Sequence, residues 1–267
     1  MWGRTVARRC SFRHMPARTR LLGLLAATPI AAALAFRAPP TTVWLAGDST
    51  MAQKQPDKRP ETGWGEALQP CFDTNEVRIA NRAVNGRSTR SFVAEGRWKA
   101  IVDSLKPGDY VFIQFGHNDE KVGTKNYSSP EDYRRNLAQF VDDVRGKGAQ
   151  PVLFTPVVRR KFEGAHLVAT HGLYPDAARA AARDTGVPLV DMERTSAALV
   201  EPLGPDSSRA LWLHLEAGAN PNYPNGVHDD THFNAVGART MAGLAITALR
   251  SLEVGLATQL RSCPARL

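Results

Sequence analysis

The chain has few cysteines, almost no net charge beyond its first residues, and no uninterrupted apolar stretch long enough to cross a bilayer. Only three of its 267 residues are cysteine, which excludes a disulfide scaffold and a metal site built from cysteines. Six of the 34 basic residues lie within residues 1–35, where no acidic residue occurs, and the other 28 nearly balance 26 acidic side chains. The sequence therefore shows no electrostatic footprint for nucleic acid.

A basic segment followed by an apolar run gives the N-terminus the organisation of a secretory signal peptide. The run extends from Leu21 to Ala35, and Pro29 interrupts it. The small residues at 33–35 fit a signal peptidase, so removal of residues 1–35 is predicted, with Met15 as an alternative start. Arg8-Arg9 raises a twin-arginine route, and an uncleaved anchor is the alternative to cleavage. We expect a secreted or periplasmic protein without stable membrane insertion.

Beyond this leader the composition indicates one domain. Residues 36–42 are predicted to be a linker, residues 43–255 the domain and residues 256–267 a C-terminal tail. Length and an apolar fraction of 43% are ample for a buried core. The mature chain keeps Cys71 and Cys263, which could pair in an oxidising compartment and tie the tail to the domain.

Short, continuous apolar runs alternate with helical patterns through the domain. Continuous rather than alternating apolar runs are typical of strands buried on both faces, so a parallel sheet covered on both sides is expected. The segment Gly204–Gly226 is rich in Pro, Asn and Gly and is predicted to be a long loop before the last helix. The predicted strands are Val43–Gly47, Val77–Asn81, Tyr110–Phe115, Pro151–Val158 and Val187–Asp191. The predicted helices are Thr62–Phe72, Glu131–Lys147, Tyr174–Thr185 and Ala235–Leu252.

Polar motifs follow the first three predicted strands, where ligands bind in open α/β sheets. They are Gly47-Asp48-Ser49-Thr50, the stretch from Asn81 to Ser88 that contains Gly86, and Gly116-His117-Asn118-Asp119. A fourth motif, residues 228–234, precedes the last helix. Each motif alone is more often a turn or a helix cap than a site.

Together the four motifs match the requirements of acyl transfer. Ser49 can serve as nucleophile, His232 as its general base, and Asp229 as the carboxylate that orients the imidazole. The backbone N–H groups of Ser49 and Gly86 and the side-chain amide of Asn118 are suitable donors to an oxyanion. Both Asp229 and Asp230 precede the histidine. The spacing of three residues favours Asp229, and Asp230 is the alternative.

These four blocks resemble those of the SGNH (GDSL-type) hydrolases, whose name-giving residues correspond to Ser49, Gly86, Asn118 and His232. The resemblance covers about residues 43–250. Within that family the chain is similar to the rhamnogalacturonan acetylesterase branch. The stretches that carry this similarity are residues 47–52, 63–65, 115–119, 155–160, 174–175 and 229–234.

The resemblance implies a three-layer α/β/α sandwich on a flavodoxin-like, parallel five-stranded sheet. It also implies a serine esterase, without cofactor or metal, that removes acetyl groups from plant cell-wall polysaccharide of the rhamnogalacturonan or pectin type, or from xylan. The expected partner is an acetylated saccharide, and a monomer is expected. The alternatives are a lipolytic or thioester-cleaving esterase on the same scaffold, and a sugar-binding module with an inactive site.

Substrate contacts are predicted at Trp64, which can stack on a sugar ring, and at His117, Arg159 and His214. Each has a simpler interpretation. Trp64 can be a core residue and His117 can shape its loop. Arg159 can be solvated at a loop edge, and nothing fixes the direction of His214 in the long loop. Arg159 and its neighbour Arg160 could meet sugar carboxylates. A metal cluster of His228, Asp230 and His232 is a further alternative, which the use of His232 as a base disfavours.

Overall fold

The computed structural model describes residues 39–252 and 254–261, together with a few isolated positions before residue 12. The chain divides into two units, Met1–Ala38 and Pro39–Leu267, and the fold given below is that of the second. The predicted signal sequence, its cleavage site and Cys263 lie outside the described residues. No helix in the described part of the chain is both long and apolar enough to span a membrane.

Five parallel strands form the central sheet of this unit. They are β1 (Thr41–Gly47), β2 (Val77–Asn81), β3 (Tyr110–Gln114), β4 (Gln150–Phe154) and β7 (Leu189–Val190). Their order across the sheet is β2-β1-β3-β4-β7, which is the flavodoxin-like order 2-1-3-4-5 when only sheet strands are counted. β2 lies on one side of β1, and β3 and the later strands lie on the other. The point at which the strand order changes direction is therefore between β1 and β3.

Helices cover both faces of the sheet, which confirms the predicted three-layer α/β/α sandwich. Alternate residues of β1 enter different cores: Val43 and Leu45 face one, and Trp44 and Ala46 face the other. The second core is closed by α1 (Thr89–Ala94), α2 (Arg97–Ser104), α3 (Pro130–Arg145) and α4 (Tyr174–Thr185). The first is closed by α5 (Met192–Val200) and α7 (Ala235–Ser251).

The predicted helix Thr62–Phe72 is wrong. The segment instead forms two 3-10 turns, Trp64–Ala67 and Gln69–Cys71. Pro70 has no N–H to continue an α-helical ladder through the segment. Gly65 also packs so closely on the chain after β1 that an added Cβ would lie 2.6 Å from the Met51 carbonyl oxygen.

The predicted long loop Gly204–Gly226 is also partly wrong, because it contains regular structure. It begins with the short helix α6 (Gly204–Ser207) and continues into β8 (Trp212–Leu215). β8 pairs antiparallel with β9 (Val227–Phe233), so the fourth motif lies in a strand rather than in a loop. A second small hairpin joins β5 (Phe162–Glu163) to β6 (His166–Leu167). α1, α2 and α5 have no counterpart among the predicted helices.

Other boundaries differ by a few residues. β1 begins at Thr41, inside the predicted linker, while β4 and β7 are shorter than predicted. Cys71 is disulfide-bonded. The backbone N–H of Arg261 donates to the Cys71 carbonyl at 2.8 Å, and Phe72 forms a β-bridge with Leu260. The start of the predicted tail is therefore held against the domain at Cys71.

Candidate active site

The carboxyl ends of β1, β2 and β3 bring the first three motifs to one edge of the sheet. Ser49 follows β1, Gly86 lies in the turn after β2, and Asn118 lies in the turn after β3. β9 brings the fourth motif to the same edge. Ser49, Gly86, Asn118, Asp229 and His232 all line one cleft of about 560 Å³.

A tight turn fixes Ser49 at the end of β1. The carboxylate of Asp48 is fully buried and accepts hydrogen bonds from the backbone N–H and the hydroxyl of Thr50, at 2.9 and 2.8 Å. Burial acts to raise the pKa of Asp48, but the nearby His117 ring and the Thr50 donors outweigh it and lower the pKa. The hydrogen bonds of the buried Asp48 thus fix the turn that places Ser49 at the cleft.

Ser49, His232 and Asp229 form a continuous hydrogen-bonded chain. The Ser49 Oγ lies 2.9 Å from the His232 Nε2, and the His232 Nδ1 lies 2.7 Å from the Asp229 Oδ2. Burial acts to raise the pKa of Asp229, but its hydrogen bond and charge interaction with His232 lower that pKa to about 2. An ionised carboxylate only accepts, so Nδ1 carries the imidazole proton and Nε2 accepts from the serine hydroxyl.

An irregular strand pairing places His232 beside Asp229. Trp212 pairs with Phe233, whereas the next residue, Leu213, pairs with Asp229, so residues 230–232 are extra to the ladder. In a regular strand, residues 229 and 232 would point to opposite faces. The bulge instead lets the Asp229 Oδ1 accept from the backbone N–H groups of Thr231 and His232, at 2.7 and 2.9 Å.

The Asp230 carboxylate bonds other residues than His232. Its Oδ1 accepts from the Arg160 guanidinium at 2.5 Å and lies 2.9 Å from the His214 Nε2. The His228 ring in turn lies beside His214, with 3.4 Å between their Nδ1 atoms. His228 and Asp230 thus share His214 as a neighbour, while His232 contacts Ser49 and Asp229. Within the described residues no group of three such side chains could hold a metal ion, so the alternative metal cluster of His228, Asp230 and His232 is wrong for this structure.

Three candidate oxyanion donors belong to residues that line the cleft, namely Ser49, Gly86 and Asn118. Within the described residues, the backbone N–H groups of Ser49 and Gly86 donate to no acceptor. Gly86 has a φ of 74°, and nothing lies within 4 Å of the position where a Cβ would be, so a ligand can approach its backbone closely. The Asn118 side chain is 3% exposed and lines the same cleft.

The predicted substrate contacts divide into two groups. His117 and Arg159 line the cleft, and neither ring nitrogen of the buried His117 has a hydrogen-bond partner among the described residues. The Arg159 guanidinium pairs with Glu120 at 2.5 Å. Trp64, by contrast, is fully buried, donates to the Gln114 Oε1 and packs on Phe154, so the predicted sugar contact is wrong for this structure.

Two more predictions concern residues beside the cleft. His214 is not part of the cleft lining, because its ring turns toward Asp230. Arg160 is 7% exposed and bonds Asp230 and Ser208, so the predicted meeting of Arg160 with sugar carboxylates is also wrong for this structure.

Sequence reasoning missed a buried lysine behind the nucleophile. The Lys54 ammonium donates to the Ser49 carbonyl at 2.5 Å and to the Asn85 Oδ1 at 2.9 Å, and it lies 2.7 Å from the Glu61 Oε1. Glu61 lines the cleft, 4.0 Å from the His232 Nε2. Lysine and glutamate are usually solvated, and no periodic pattern marks Lys54 as buried.

The sequence of the chain matches a known family over most of its length. The profile of the GDSL-like Lipase/Acylhydrolase family matches residues 45–240. A rhamnogalacturonan acetylesterase of Bacillus subtilis is 41% identical over 225 residues, which is 84% of this chain and 95% of that protein. A rhamnogalacturonan acetylesterase of Emericella nidulans is 31% identical over 80% of this chain and 87% of its own length.

A solved structure supports the same fold. The crystal structure of an acetylxylan esterase from Geobacillus stearothermophilus has a TM-score of 0.57 and 21% sequence identity, and it covers 81% of this chain and 95% of its own. The resemblance inferred from the four motifs is therefore confirmed. The chain belongs to the GDSL-like lipase/acylhydrolase family and is a carboxylic ester hydrolase.

Proposed function

We propose that this chain is a serine carbohydrate acetylesterase that removes acetyl groups from rhamnogalacturonan- or pectin-type polysaccharide. The observation that carries the chemistry is the hydrogen-bonded chain from Ser49 through His232 to Asp229, which opens into a cleft with unoccupied N–H donors. The relatives named as rhamnogalacturonan acetylesterases, one of them 41% identical, support the substrate class.

In the proposed reaction, His232 takes the proton of Ser49 as the Oγ attacks the acetyl carbonyl. Asp229 holds the Nδ1–H tautomer and stabilises the imidazolium that forms. The N–H groups of Ser49 and Gly86 and the Asn118 amide bind the oxyanion. His232 then gives the proton to the departing sugar oxygen, and water repeats the sequence on the acetyl-enzyme.

Sugar recognition would fall to the cleft around the acetyl group, because an acetyl group offers little surface. The residues that line it are mostly polar or charged and include Lys58 and Arg159. We propose that His117, whose Nδ1 lies 3.4 Å from the Asp48 Oδ2 and whose Nε2 has no hydrogen-bond partner among the described residues, contacts a sugar hydroxyl. Arg159, paired with Glu120, is proposed to contact the same ligand.

Ser49→Ala tests the nucleophile. The change removes one hydroxyl and leaves core volume unaltered, so the protein is expected to fold normally and to lose hydrolysis of p-nitrophenyl acetate. A serine-directed organophosphorus reagent should label Ser49 alone. Ser251→Ala, at the exposed end of α7, is the matched control and should keep full activity. Appreciable activity in Ser49→Ala would contradict the proposal.

Substrate class is tested by two measurements on the unaltered enzyme. Acetate release from acetylated rhamnogalacturonan, pectin and xylan fragments is expected to be fastest on the first two. Among nitrophenyl esters, acetate should be cleaved faster than octanoate. A preference for octanoate would instead indicate a lipolytic or thioester-cleaving enzyme with an apolar acyl pocket.

We also propose that the protein is exported, on the strength of the basic and apolar organisation of residues 1–35. Expression of the full chain in a bacterial host, followed by fractionation and N-terminal sequencing, tests this. Export predicts a mature species in the periplasm or the medium that begins after the leader. Retention of the intact leader in the membrane fraction would support an anchor.

A further inference from the structure

The side-chain amide of Asn118 is held in one orientation by two partners of opposite kind. Its Oδ1 accepts from the Lys121 ammonium at 2.8 Å, and its Nδ2 donates to the Arg87 carbonyl oxygen at 3.0 Å. An ammonium can only donate, and a carbonyl oxygen can only accept. If the amide were flipped, its Nδ2 would face the Lys121 ammonium and its Oδ1 would face the Arg87 carbonyl, so neither hydrogen bond could form.

This arrangement leaves a defined donor free. The Asn118 amide nitrogen carries two protons, and the Arg87 carbonyl takes one of them. The second N–H belongs to a side chain that lines the cleft together with Ser49. Without Lys121, the Arg87 carbonyl would be the one remaining partner of the amide, so the direction of the free N–H would be less firmly fixed.

Lys121 is also well placed to strengthen the donor. Its side chain is exposed, and Asn118 is the one hydrogen-bond partner that its ammonium has among the described residues. A cation on the carbonyl end of an amide polarises the N–H end, as charge-assisted and chained hydrogen bonds do. The backbone of this turn is secured separately, by the Lys121 N–H to the Asn118 carbonyl at 3.2 Å.

We propose that Lys121 is a positioning residue for the oxyanion, acting through Asn118 rather than by touching the substrate. The proposal rests on the proposed function, in which Asn118 is an oxyanion donor. It assigns a role in ester hydrolysis to a cleft residue that the four sequence motifs do not include.

Lys121→Met tests this proposal on p-nitrophenyl acetate, a small neutral substrate without the carboxylate or other anionic group that a cation binds most strongly. The kcat is expected to fall about tenfold, less than when the donor itself is lost, while KM changes little. Lys121→Arg keeps a donor-only cation and should restore most of the rate. Lys125→Met removes an exposed lysine of the same loop and should have no effect.

A double variant separates action through Asn118 from direct contact. In an Asn118→Ala background, Lys121→Met is expected to cause no further loss of kcat, because the group that it positions is gone. An additional tenfold loss in that background would overturn the proposal, as would a normal kcat in Lys121→Met alone. A change confined to KM would show substrate binding instead of positioning, and would also overturn it.

The same experiment distinguishes failure of the underlying function. A large loss in Asn118→Ala beside an inert Lys121→Met would refute the positioning role and leave the oxyanion assignment intact. A normal kcat in Asn118→Ala would refute both. Thermal unfolding of each variant, expected to stay within a few degrees of the parent, excludes misfolding as the cause of any loss.

Discussion

Asp229 and Asp230 are neighbours of the same chemical type with different surroundings. The Asp229 carboxylate accepts from the His232 Nδ1 and from two backbone N–H groups, whereas Asp230 accepts from Arg160 and His214. Spacing alone favoured Asp229 but kept Asp230 as an alternative. The contacts support the first assignment for a physical reason that spacing lacks, namely that Arg160 already holds the Asp230 carboxylate.

Asp229→Asn is expected to lower kcat on an acetyl ester severely, by about a thousandfold or more. The amide can neither enforce the productive tautomer nor stabilise the imidazolium. Asp230→Asn keeps the Asp229–His232 pair and should retain most of the activity. Both variants are compared at one pH, and a severe Asp230→Asn beside a near-normal Asp229→Asn would reverse the assignment.

Asn118→Ala is expected to lower kcat by about a hundredfold or more while KM changes little, because the amide is proposed to bond the oxyanion rather than the ground-state ester. Steady-state kinetics with p-nitrophenyl acetate provide both constants. Asn75→Ala, which removes an exposed amide that does not line the cleft, is the control. A raised KM with an unchanged kcat would indicate that Asn118 binds the sugar.

At the scale of single residues, chemistry-bearing motifs were easier to predict than their supports. Ser49, Gly86 and Asn118 stand in short polar blocks that follow strands, and Asp229 and His232 stand in the polar block before the last helix. All five line one cleft. Lys54 and Lys121 belong to no such block, since their importance arises only when distant segments come together. Trp64 was misjudged because an aromatic residue near the nucleophile in sequence can face either the cleft or the core.

At the scale of elements, three segments meet at one buried ammonium. Lys54 links the turn after β1 through the Ser49 carbonyl, the turn after β2 through Asn85, and the segment before the 3-10 turn Trp64–Ala67 through Glu61. The side chains of Lys54 and Glu61 are only 1% and 9% exposed. Removing one partner of such a pair leaves an uncompensated charge in a poorly solvated place.

Lys54→Met is therefore expected to destabilise the fold by about 3–5 kcal/mol, as measured by urea unfolding. Adding Glu61→Gln should recover part of that loss, because the buried carboxylate is then neutral. The control is Lys99→Met, which breaks an exposed pair with Asp103 and should shift the midpoint little. Equal effects of Lys54→Met and Lys99→Met would show that the buried pair contributes no more than a surface one.

The elements also show where pattern reasoning fails. α4 was predicted with its observed bounds, and the boundaries of α3 and α7 differ by one or two residues, because an apolar stripe of helical period and capping residues mark them. β8 was predicted as loop and β9 was not predicted as a strand, because loop-like residues flank the first and polar catalytic residues occupy the second. The register shift that joins Asp229 to His232 depends on pairing across the hairpin, which no local pattern encodes.

At the scale of the whole molecule, the parallel sheet and its two cores could be predicted from the short, continuous apolar runs in the sequence. Runs buried on both faces require helices on both sides, and the order β2-β1-β3-β4-β7 brings three strand ends and their motifs together. The same arrangement brings carboxylates with shifted pKa values to one edge of the sheet. The stability of the molecule should therefore depend on pH in a defined way.

Stability is expected to fall steeply between about pH 4 and pH 2. The pKa of Asp229 is lowered from 3.8 to about 2 and that of Asp48 is also lowered. As pH falls through this range, the unfolded chain takes up protons before the folded one does, so the stabilisation is present above pH 4 and lost toward pH 2. Asp119 acts in another window: burial raises its pKa to about 7, so its contribution decreases as pH rises from about 4 to 7.

Thermal unfolding of the parent and two variants at pH 4, 3 and 2 measures this effect. Asp229→Asn cannot change its charge, so its melting temperature should fall less between pH 4 and pH 2 than that of the parent. Asp230→Asn, which leaves the Asp229–His232 contact in place, should retain the steeper fall. Equal slopes for the parent and Asp229→Asn would mean that the contact with His232 adds nothing to acid stability. The acid sensitivity of the fold would then have to arise from Asp48 and the other buried carboxylates.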